Sequence, residues 1–227
     1  TDANSELDER IRSIAVNGTN NILKNISSNC KIIFPSTHVV FEGYEETKKN
    51  ITENEPTKPI LMYSTSKVQN EIDIKNSNNP YVILRLGSVY GYSSDTMRIN
   101  IMPNLFSKIT SQNGTIKLFS GGKQLKSLIN IIDVVRCMKF MEENEKINKE
   151  IFHLVNEQLT VKEVAQLCKK INPRVTLKST EDETPNLGYT LSNKKLIKTG
   201  FKFLYNIKPS LEEMIKYWKF KKNENKL

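Results

Sequence analysis

The chain has 227 residues, 37% hydrophobic and 26% charged, a composition typical of a soluble globular protein with a full core. No stretch approaches the roughly 18 apolar residues of a membrane helix, and the N-terminal segment 1–10 lacks the charged and apolar regions of a signal peptide. The net charge of +9 comes with no basic motif or aromatic platform, which argues against nucleic-acid binding and suits an anionic small substrate.

Helical and strand-like segments alternate from the start of the chain. The predicted elements of the first half are a helix over 5–28, a buried strand over 31–37, a polar connection over 42–59, a helix over 62–76, a β-branched strand over 81–91 and a helix over 98–112. Strands that alternate with helices in this way predict a parallel sheet covered by helices.

The second half continues the same alternation. It contains a strand over 116–119, a short strand running into a helix over 128–144, a strand over 151–155, a helix over 160–171, a strand over 174–179, a short helix that ends at Gly200 and a last helix over 209–219. Thr160 with Glu163 three residues later is the signature of a capping box. The whole chain is therefore predicted to be α/β.

The three cysteines, Cys30, Cys137 and Cys168, lie far apart and form no CxxC pattern. We expect them to be reduced core residues, without a disulfide or a metal-binding role. Together with the absence of a membrane segment, this usage favours a cytoplasmic protein with no membrane attachment.

A tyrosine precedes a lysine by four residues at three places. The pairs are Tyr44 with Lys48, Tyr63 with Lys67, and Tyr217 with Lys221. On a helix this spacing puts the phenol and the ammonium on one face, about 6 Å apart at Cβ, and a nearby cation favours the phenolate form. The first pair lies in the polar connection and the third at the end of the last helix, so both are expected to be structural.

Polar side chains converge on the second pair, Tyr63 and Lys67. The strand before it ends in Ser36 and Thr37, and the strand after it ends in LGSVYG (86–91). The carboxyl ends of parallel strands meet at one edge of the sheet, where open α/β folds bind their ligands. The sequence therefore predicts a site at this edge.

Six segments resemble, in order, the motifs of one family. They are VNGTNNIL (16–23), FPSTHVVFEG (34–43), PILMYSTSKVQNE (59–71), VILRLGSVYG (82–91), IMPNLFSKI (101–109) and GGKQLKSLINIIDVVRCM (121–138). The chain resembles the extended short-chain dehydrogenase/reductase family, the NAD-dependent nucleotide-sugar epimerases and dehydratases. The resemblance covers nearly the whole chain, most strongly from 31 to 135.

The resemblance implies a fold in two parts. Residues 1–91 and 127–157 would form the C-terminal part of an NAD-binding Rossmann-like parallel sheet, and 92–126 with 158–227 a smaller α/β substrate-binding domain. The family's G-x-x-G-x-x-G turn, which holds the dinucleotide pyrophosphate at a helix N-terminus, is not formed by any of the nine glycines. We therefore expect the N-terminal half of the Rossmann domain to be missing, and tight NAD binding by this chain alone is not expected.

The resemblance also assigns roles in catalysis. Thr37 would hydrogen-bond the substrate hydroxyl or carbonyl, Tyr63 would exchange a proton with it, and Lys67 would favour the phenolate and bind the nicotinamide ribose. A phenol with a pKa near 10 needs a shift of about three units, or about 4 kcal/mol, to act as a base near pH 7. The implied cofactor is NAD, with NADP left open because the residue that selects between them belongs to the missing half. The implied cofactor-binding residues are Ser36, Tyr63, Lys67, Leu86 and Gly87.

Substrate-binding residues follow from the same motifs. They are Ser88, Asn100, Ile101, Leu118, Phe119 and Lys126. Ser88 stands where many members have asparagine, and Lys126 replaces the usual arginine, which keeps the charge but loses the bidentate fork. For Leu118 and Phe119, an ordinary core strand is an equally good interpretation.

Departures from the family pattern leave alternatives open. His38 and Val39 stand where the dehydratases carry an Asp-Glu pair, so elimination of water by that route is not expected. His38 itself is interpreted as structural more readily than as an acid or base. VFEG (40–43) resembles the VFDG of dTDP-4-dehydrorhamnose reductases, which favours a reductase as the alternative.

The leading hypothesis is an NAD-dependent nucleotide-sugar epimerase that works through a transient keto intermediate, with Tyr63 as acid and base. The alternatives are an NAD(P)H-dependent reductase of a nucleotide-linked 4-ketosugar and a non-catalytic, truncated family member. Family resemblance also implies a homodimer formed through the helix over 5–28 and the helix that starts near Tyr63.

Overall fold

The computed structural model describes residues 9–94, 97–181 and 188–224. The helices are Glu9–Asn25 (α1), Met62–Asn76 (α2), Met102–Ser111 (α3), Ile131–Glu143 (α4), Val161–Ile171 (α5), Lys194–Ile197 (α6) and Ile207–Glu224 (α7). The strands are Ile32–Thr37 (β1), Lys48–Ile51 (β2), Tyr81–Leu86 (β3), Ser88–Tyr90 (β4), Thr115–Phe119 (β5), Leu125–Asn130 (β6), Glu150–Leu154 (β7), Glu157–Thr160 (β8), Thr176–Thr180 (β9) and Tyr189–Leu191 (β10). Within these ranges, no helix combines the length and the apolar character needed to cross a bilayer.

A parallel sheet of order β1-β3-β7 confirms the predicted α/β class. Side chains alternate between its two faces because successive strand residues point in opposite directions. Tyr81 and Ile83 pack in the cluster that contains residues of α1 and α2. Val82 and Leu84 pack in the cluster built on α4. The buried middle strand β3 is thus covered by helices on both faces, the arrangement expected of a Rossmann-like layer.

The predicted strand over 81–91 is two strands in two sheets. β3 ends beside β1 and β7, and after Gly87 the chain continues as β4, which pairs with β6. A Cβ at Gly87 would lie 2.6 Å from the Ser127 carbonyl oxygen and 2.9 Å from Val155 Cγ1. Only glycine therefore allows the chain to approach β6 this closely at the crossing point.

A second core lies between α3, α5, α7 and the parallel pair β5-β9. The capping box predicted at Thr160 is present, because Thr160 accepts from the Glu163 amide and the Glu163 carboxylate accepts from the Thr160 amide. The proposed division into two domains stays a prediction. Leu196 and Phe201, assigned by it to the substrate-binding part, pack in the cluster under α4.

Three short strands escaped prediction. β2 lies in the predicted polar connection and pairs in parallel with β10, while β8 pairs antiparallel with β6. The predicted helix over 5–28 is observed as Glu9–Asn25, with its residues 5–8 outside the described part.

The cysteines agree only in part with their prediction. Cys137 and Cys168 are free and buried, as expected, but Cys30 is exposed just before β1 and is not a core residue. The expectation failed for Cys30 because it lies in the solvent-facing turn between α1 and β1, outside both periodic segments.

Candidate functional site

A cavity of 490 Å³ opens at the carboxyl ends of β1 and β3. The N-terminus of α2, residues 91 and 93, and residues 97, 98, 101 and 104 line its other walls. Seven of the predicted site residues line it, namely Ser36, Thr37, Tyr63, Leu86, Gly87, Ser88 and Ile101. The structure thus brings the strand ends and Tyr63 together where parallel strands were predicted to place a ligand, while Lys67 is not among the described residues that line the cavity.

Thr37 and Tyr63 meet at the wall of this cavity. Thr37 caps the short 3-10 segment His38–Phe41, with its Oγ1 accepting from the Val39 amide at 3.3 Å. Burial raises the pKa of Tyr63, while a side-chain hydrogen bond with Thr37 and the charge of Arg98 lower it. The pKa remains above its ordinary value, so the phenol carries its proton near pH 7 in the protein alone.

Lys67 lies one helical turn beyond Tyr63 on α2. Its Nζ donates to the Pro35 carbonyl oxygen at 2.9 Å and lies 5.9 Å from the centroid of the Tyr63 ring. Burial lowers the pKa of Lys67, and the Glu71 carboxylate raises it. The cation that lowers the pKa of Tyr63 in this structure is Arg98, which the sequence analysis did not name.

The first turn of α2 is held by a carboxylate from another segment. Glu42 Oε1 accepts from the amides of Ile60 at 3.1 Å and Leu61 at 2.8 Å, and from the Ser64 hydroxyl. Leu61, the helix's own N-cap residue, makes no side-chain cap bond. Glu42 therefore satisfies amides at the helix start and places a negative charge at its positive end, beside Tyr63.

A buried network fixes α2 to the sheet. Ser36 Oγ donates to Glu71 Oε1 at 2.6 Å, and Arg85 donates from Nε at 3.0 Å and from Nη2 at 2.7 Å to the two Glu71 oxygens. All three side chains are at most 4% exposed. The Ser36 hydroxyl thus points to Glu71, and the cofactor-binding role predicted for Ser36 stays a prediction.

His38 joins two parts of the chain that lie far apart in sequence. Its Nε2 lies 3.3 Å from Ser88 Oγ, and its Nδ1 lies 3.2 Å from the hydroxyl of Tyr189. Burial and the charge of Lys126, on β6, lower the pKa of His38 to about 4. The ring is therefore neutral at pH 7.

Four of the predicted substrate residues, Asn100, Leu118, Phe119 and Lys126, are not among the described residues that line the cavity. Asn100 is exposed, and Phe119 is 49% exposed at the end of β5. Leu118 is 3% exposed within the core of α3, α5 and α7, so the core-strand interpretation describes its position.

Asn104 is, like Arg98, a wall residue that sequence reasoning missed. Its Oδ1 accepts from the Gly91 amide at 3.1 Å, and its Nδ2 donates to the Arg98 carbonyl oxygen at 3.0 Å. Asn104 therefore ties both Gly91 and Arg98 to α3. Asn104 lies four residues after Asn100, on the buried face of α3, and this spacing could have indicated it as a site residue.

A threonine at the carboxyl edge of a parallel sheet, facing a tyrosine and a lysine one helical turn apart, defines a site of the short-chain dehydrogenase/reductase class. Residues 1–154 match the NAD dependent epimerase/dehydratase family. The chain belongs to this family.

Solved structures share the fold. UDP-glucose 4-epimerase from Thermotoga maritima, solved with UDP-glucose, has a TM-score of 0.80 at 20% identity and covers 95% of this chain and 72% of its own. UDP-glucuronic acid 4-epimerase from Bacillus cereus, with UDP-glucuronic acid and NAD, has a TM-score of 0.77 at 21% identity and covers 91% and 67%. RMD from Pseudomonas aeruginosa, complexed with NADPH, has a TM-score of 0.79 at 16% identity and covers 92% and 74%. At these identities the likeness establishes the fold alone.

Proposed function

We propose that this protein is an NAD-dependent epimerase of a nucleotide sugar, with Tyr63 as acid and base. The observation that carries the proposal is the hydrogen bond between Thr37 and Tyr63 at the wall of a cavity large enough for a ligand, with Lys67 one turn away. Family membership supports the use of NAD. The UDP-sugars bound by two of the structural neighbours support the substrate class.

Thr37 and Tyr63 have different roles toward a sugar hydroxyl. Thr37 holds the hydroxyl oxygen beside Tyr63, and the phenolate form of Tyr63 takes the proton as the alcohol becomes a ketone. A bound NAD would supply the hydride acceptor and donor for the sugar carbon, with the hydride restored on the opposite face of the ketone. Tyr63 then gives the proton back to the re-formed alkoxide, so the enzyme ends in its starting state.

The phenolate needs support from nearby cations. Burial raises the pKa of Tyr63. The site must therefore stabilise the phenolate, relative to the phenol, by at least the roughly 4 kcal/mol that an ordinary phenol requires. Arg98 already acts in this direction, and Lys67 lies close enough to add to it. Both charges act more strongly once a ligand fills the cavity and displaces water.

The described residues fit the nicotinamide end of NAD. Among them, the Lys67 ammonium makes one hydrogen bond, to Pro35, so two of its three N–H donors remain for ribose hydroxyls. Leu86 ends β3 and Gly87 follows it; both line the cavity and would form the floor under the nicotinamide. NADP is the alternative cofactor for the same position.

The test is Tyr63→Phe in the protein expressed from its complete coding sequence, assayed with UDP-glucose and NAD for epimerisation. Loss of the acid and base should lower turnover by about 100- to 10,000-fold. Tyr217→Phe is the matched control, because it makes the same change in a Tyr-Lys pair outside the cavity, and it should keep wild-type turnover. Full turnover of every responsive sugar nucleotide by Tyr63→Phe would refute the assignment.

A second candidate function is reduction of a nucleotide-linked 4-ketosugar. The observation that favours it is Glu42, the acidic residue of VFEG (40–43), which holds the start of α2. Net consumption of NADH or NADPH with a 4-keto substrate would identify the reductase, since an epimerase regenerates its cofactor. A protein that binds neither dinucleotide nor UDP-sugar in calorimetry would instead be a non-catalytic family member.

The protein is also proposed to form a homodimer through α1 and α2, which pack on each other. Their outer surfaces expose Ile14 at 74%, Ile22 at 61% and Ile72 at 42%. Sedimentation at micromolar concentration should show a dimer, and Ile14→Glu with Ile22→Glu should shift it to monomer. A wild-type protein that is monomeric under these conditions would contradict the proposal.

A further inference from the structure

A chain of hydrogen bonds on the cavity wall determines which way the Ser88 hydroxyl points. It starts at Tyr189, whose hydroxyl donates its single hydrogen to the His38 carbonyl oxygen at 2.9 Å. The same phenol oxygen lies 3.2 Å from His38 Nδ1. Since its hydrogen is already used, the phenol can only accept there, so Nδ1 of His38 carries a hydrogen.

The next link follows from the neutral state of the ring. A neutral imidazole with a hydrogen on Nδ1 has a lone pair on Nε2. Ser88 Oγ lies 3.3 Å from Nε2, so the serine donates its hydrogen to the histidine. Ser88 lines the cavity, and its oxygen then offers lone pairs to a ligand.

We propose that Ser88, oriented by His38 and Tyr189, selects a hydrogen-bond donor on the ligand, namely a hydroxyl of the sugar. This inference rests on the proposed function and specifies one contact of its substrate. An asparagine amide at this position could donate to a phosphate, carboxylate or ketone oxygen. Ser88 could donate to such an acceptor only by breaking its bond to His38, so an acceptor here is disfavoured.

His38 and Tyr189 are positioning residues in this scheme. Tyr189 is 8% exposed and lies on β10, so a segment remote in sequence sets the direction of a hydrogen bond at β4. The half-buried Lys126 contributes by favouring the neutral ring that accepts from Ser88.

The first test reads the tautomer without any ligand. The sequence contains two histidines, so long-range ¹H–¹⁵N spectra of the labelled protein at pH 7 give two ring systems, and His153→Gln assigns them. His38 should be the neutral form with its hydrogen on Nδ1, and Ser88→Ala should shift the Nε2 resonance of His38. Ser93→Ala, which removes another hydroxyl from the cavity wall, should not. A protonated ring, or a hydrogen on Nε2, overturns the proposal.

The second test reads the ligand preference. Binding of UDP-glucose is compared with binding of its monodeoxyfluoro analogues, because fluorine cannot donate a hydrogen bond. One analogue should bind wild type about 5- to 10-fold more weakly, and Ser88→Ala should bind it and UDP-glucose about equally. Wild-type discrimination retained by Ser88→Ala overturns the proposal.

The two proposals fail in different ways. A wild-type protein that binds no nucleotide sugar overturns both the proposed function and the substrate contact. Loss of turnover in Tyr63→Phe, together with unchanged discrimination in Ser88→Ala, overturns only the inference about Ser88.

Discussion

The two helical Tyr-Lys pairs have the same spacing and opposite surroundings. In α7, Lys221 Nζ donates directly to the Tyr217 hydroxyl at 3.1 Å. In α2, Lys67 Nζ turns to the Pro35 carbonyl oxygen. The direct contact between ammonium and phenol is thus found in the pair that faces no cavity among the described residues.

The neighbours explain the difference. Tyr217 packs its ring against Tyr92, with centroids 4.7 Å apart, and against Trp218 at 5.0 Å, so its surroundings are those of a packed surface aromatic. Tyr63 instead meets a threonine and the charge of an arginine at a cavity. The spacing of tyrosine and lysine alone therefore does not define a site. The surrounding residues distinguish the two pairs.

The largest expected effect concerns the buried ion pair between Arg85 and Glu71, which anchors α2 to the sheet. Arg85→Met removes the partner of the buried Glu71 and should lower the free energy of unfolding by about 3–5 kcal/mol in urea titrations. Lys48→Met, which removes the exposed partner of Glu55, should cost under about 1 kcal/mol. Equal effects of the two changes would show that the buried network does not hold α2.

The next effect separates the two lysines. Lys67→Met should lower kcat/KM by about 100-fold, or about 2.7 kcal/mol, because the ribose contact and the nearby charge are lost together. Lys221→Met should leave kcat/KM within about twofold of wild type, and comparable losses in both variants would remove the distinction between the pairs.

Acid should lower the free energy of unfolding through His153. Burial and the charge of Arg85 lower the pKa of His153 to about 3, from its ordinary value of about 6.5. Between these values the unfolded chain binds a proton that the folded chain does not, so stability falls as the pH drops below 6.5. The contribution of His153 between pH 7 and pH 5 is about 2 kcal/mol.

Urea titrations at the two pH values measure this loss. His153→Gln should remove about 2 kcal/mol of the pH dependence, whatever its effect at pH 7. An unchanged difference between pH 7 and pH 5 in this variant would mean that His153 is not the group responsible.

The smallest effect tests the cap of α2. Glu42→Ala leaves the amides of Ile60 and Leu61 without their acceptor and should cost about 1 kcal/mol in unfolding free energy. Glu45→Ala, an exposed change three residues later, should stay within about 0.5 kcal/mol of wild type. Identical stabilities for the two variants would rule out a capping role.

Local pattern predicted much of this structure. The helix over 62–76 has the predicted bounds, and the ends of β1 and β3 meet at the cavity because parallel strands share a carboxyl edge. Periodicity and strand order are properties of neighbouring residues, so the placement of Thr37 beside Tyr63 was accessible from sequence.

The missed contacts depend on approaches between remote segments. β2 pairs with β10 about 140 residues later, and the same approach brings Tyr189 to His38. Glu42 acts on α2 from the predicted polar connection, and Arg98 acts on Tyr63 from a segment that was predicted as the start of a helix but precedes α3. The direction of Lys67 was equally inaccessible, because a rotamer is chosen by the acceptors around it rather than by its spacing from Tyr63.

The chain crosses from one sheet to another at Gly87, so the proposed catalytic and substrate-binding residues lie in different sheets. On one side of it lies the sheet that ends in Thr37, and on the other lies β4 with Ser88, paired to the strand that carries Lys126. Under the proposed function, substitutions on β4 and β6 are therefore expected to alter ligand binding while Thr37 and Tyr63 keep their contact.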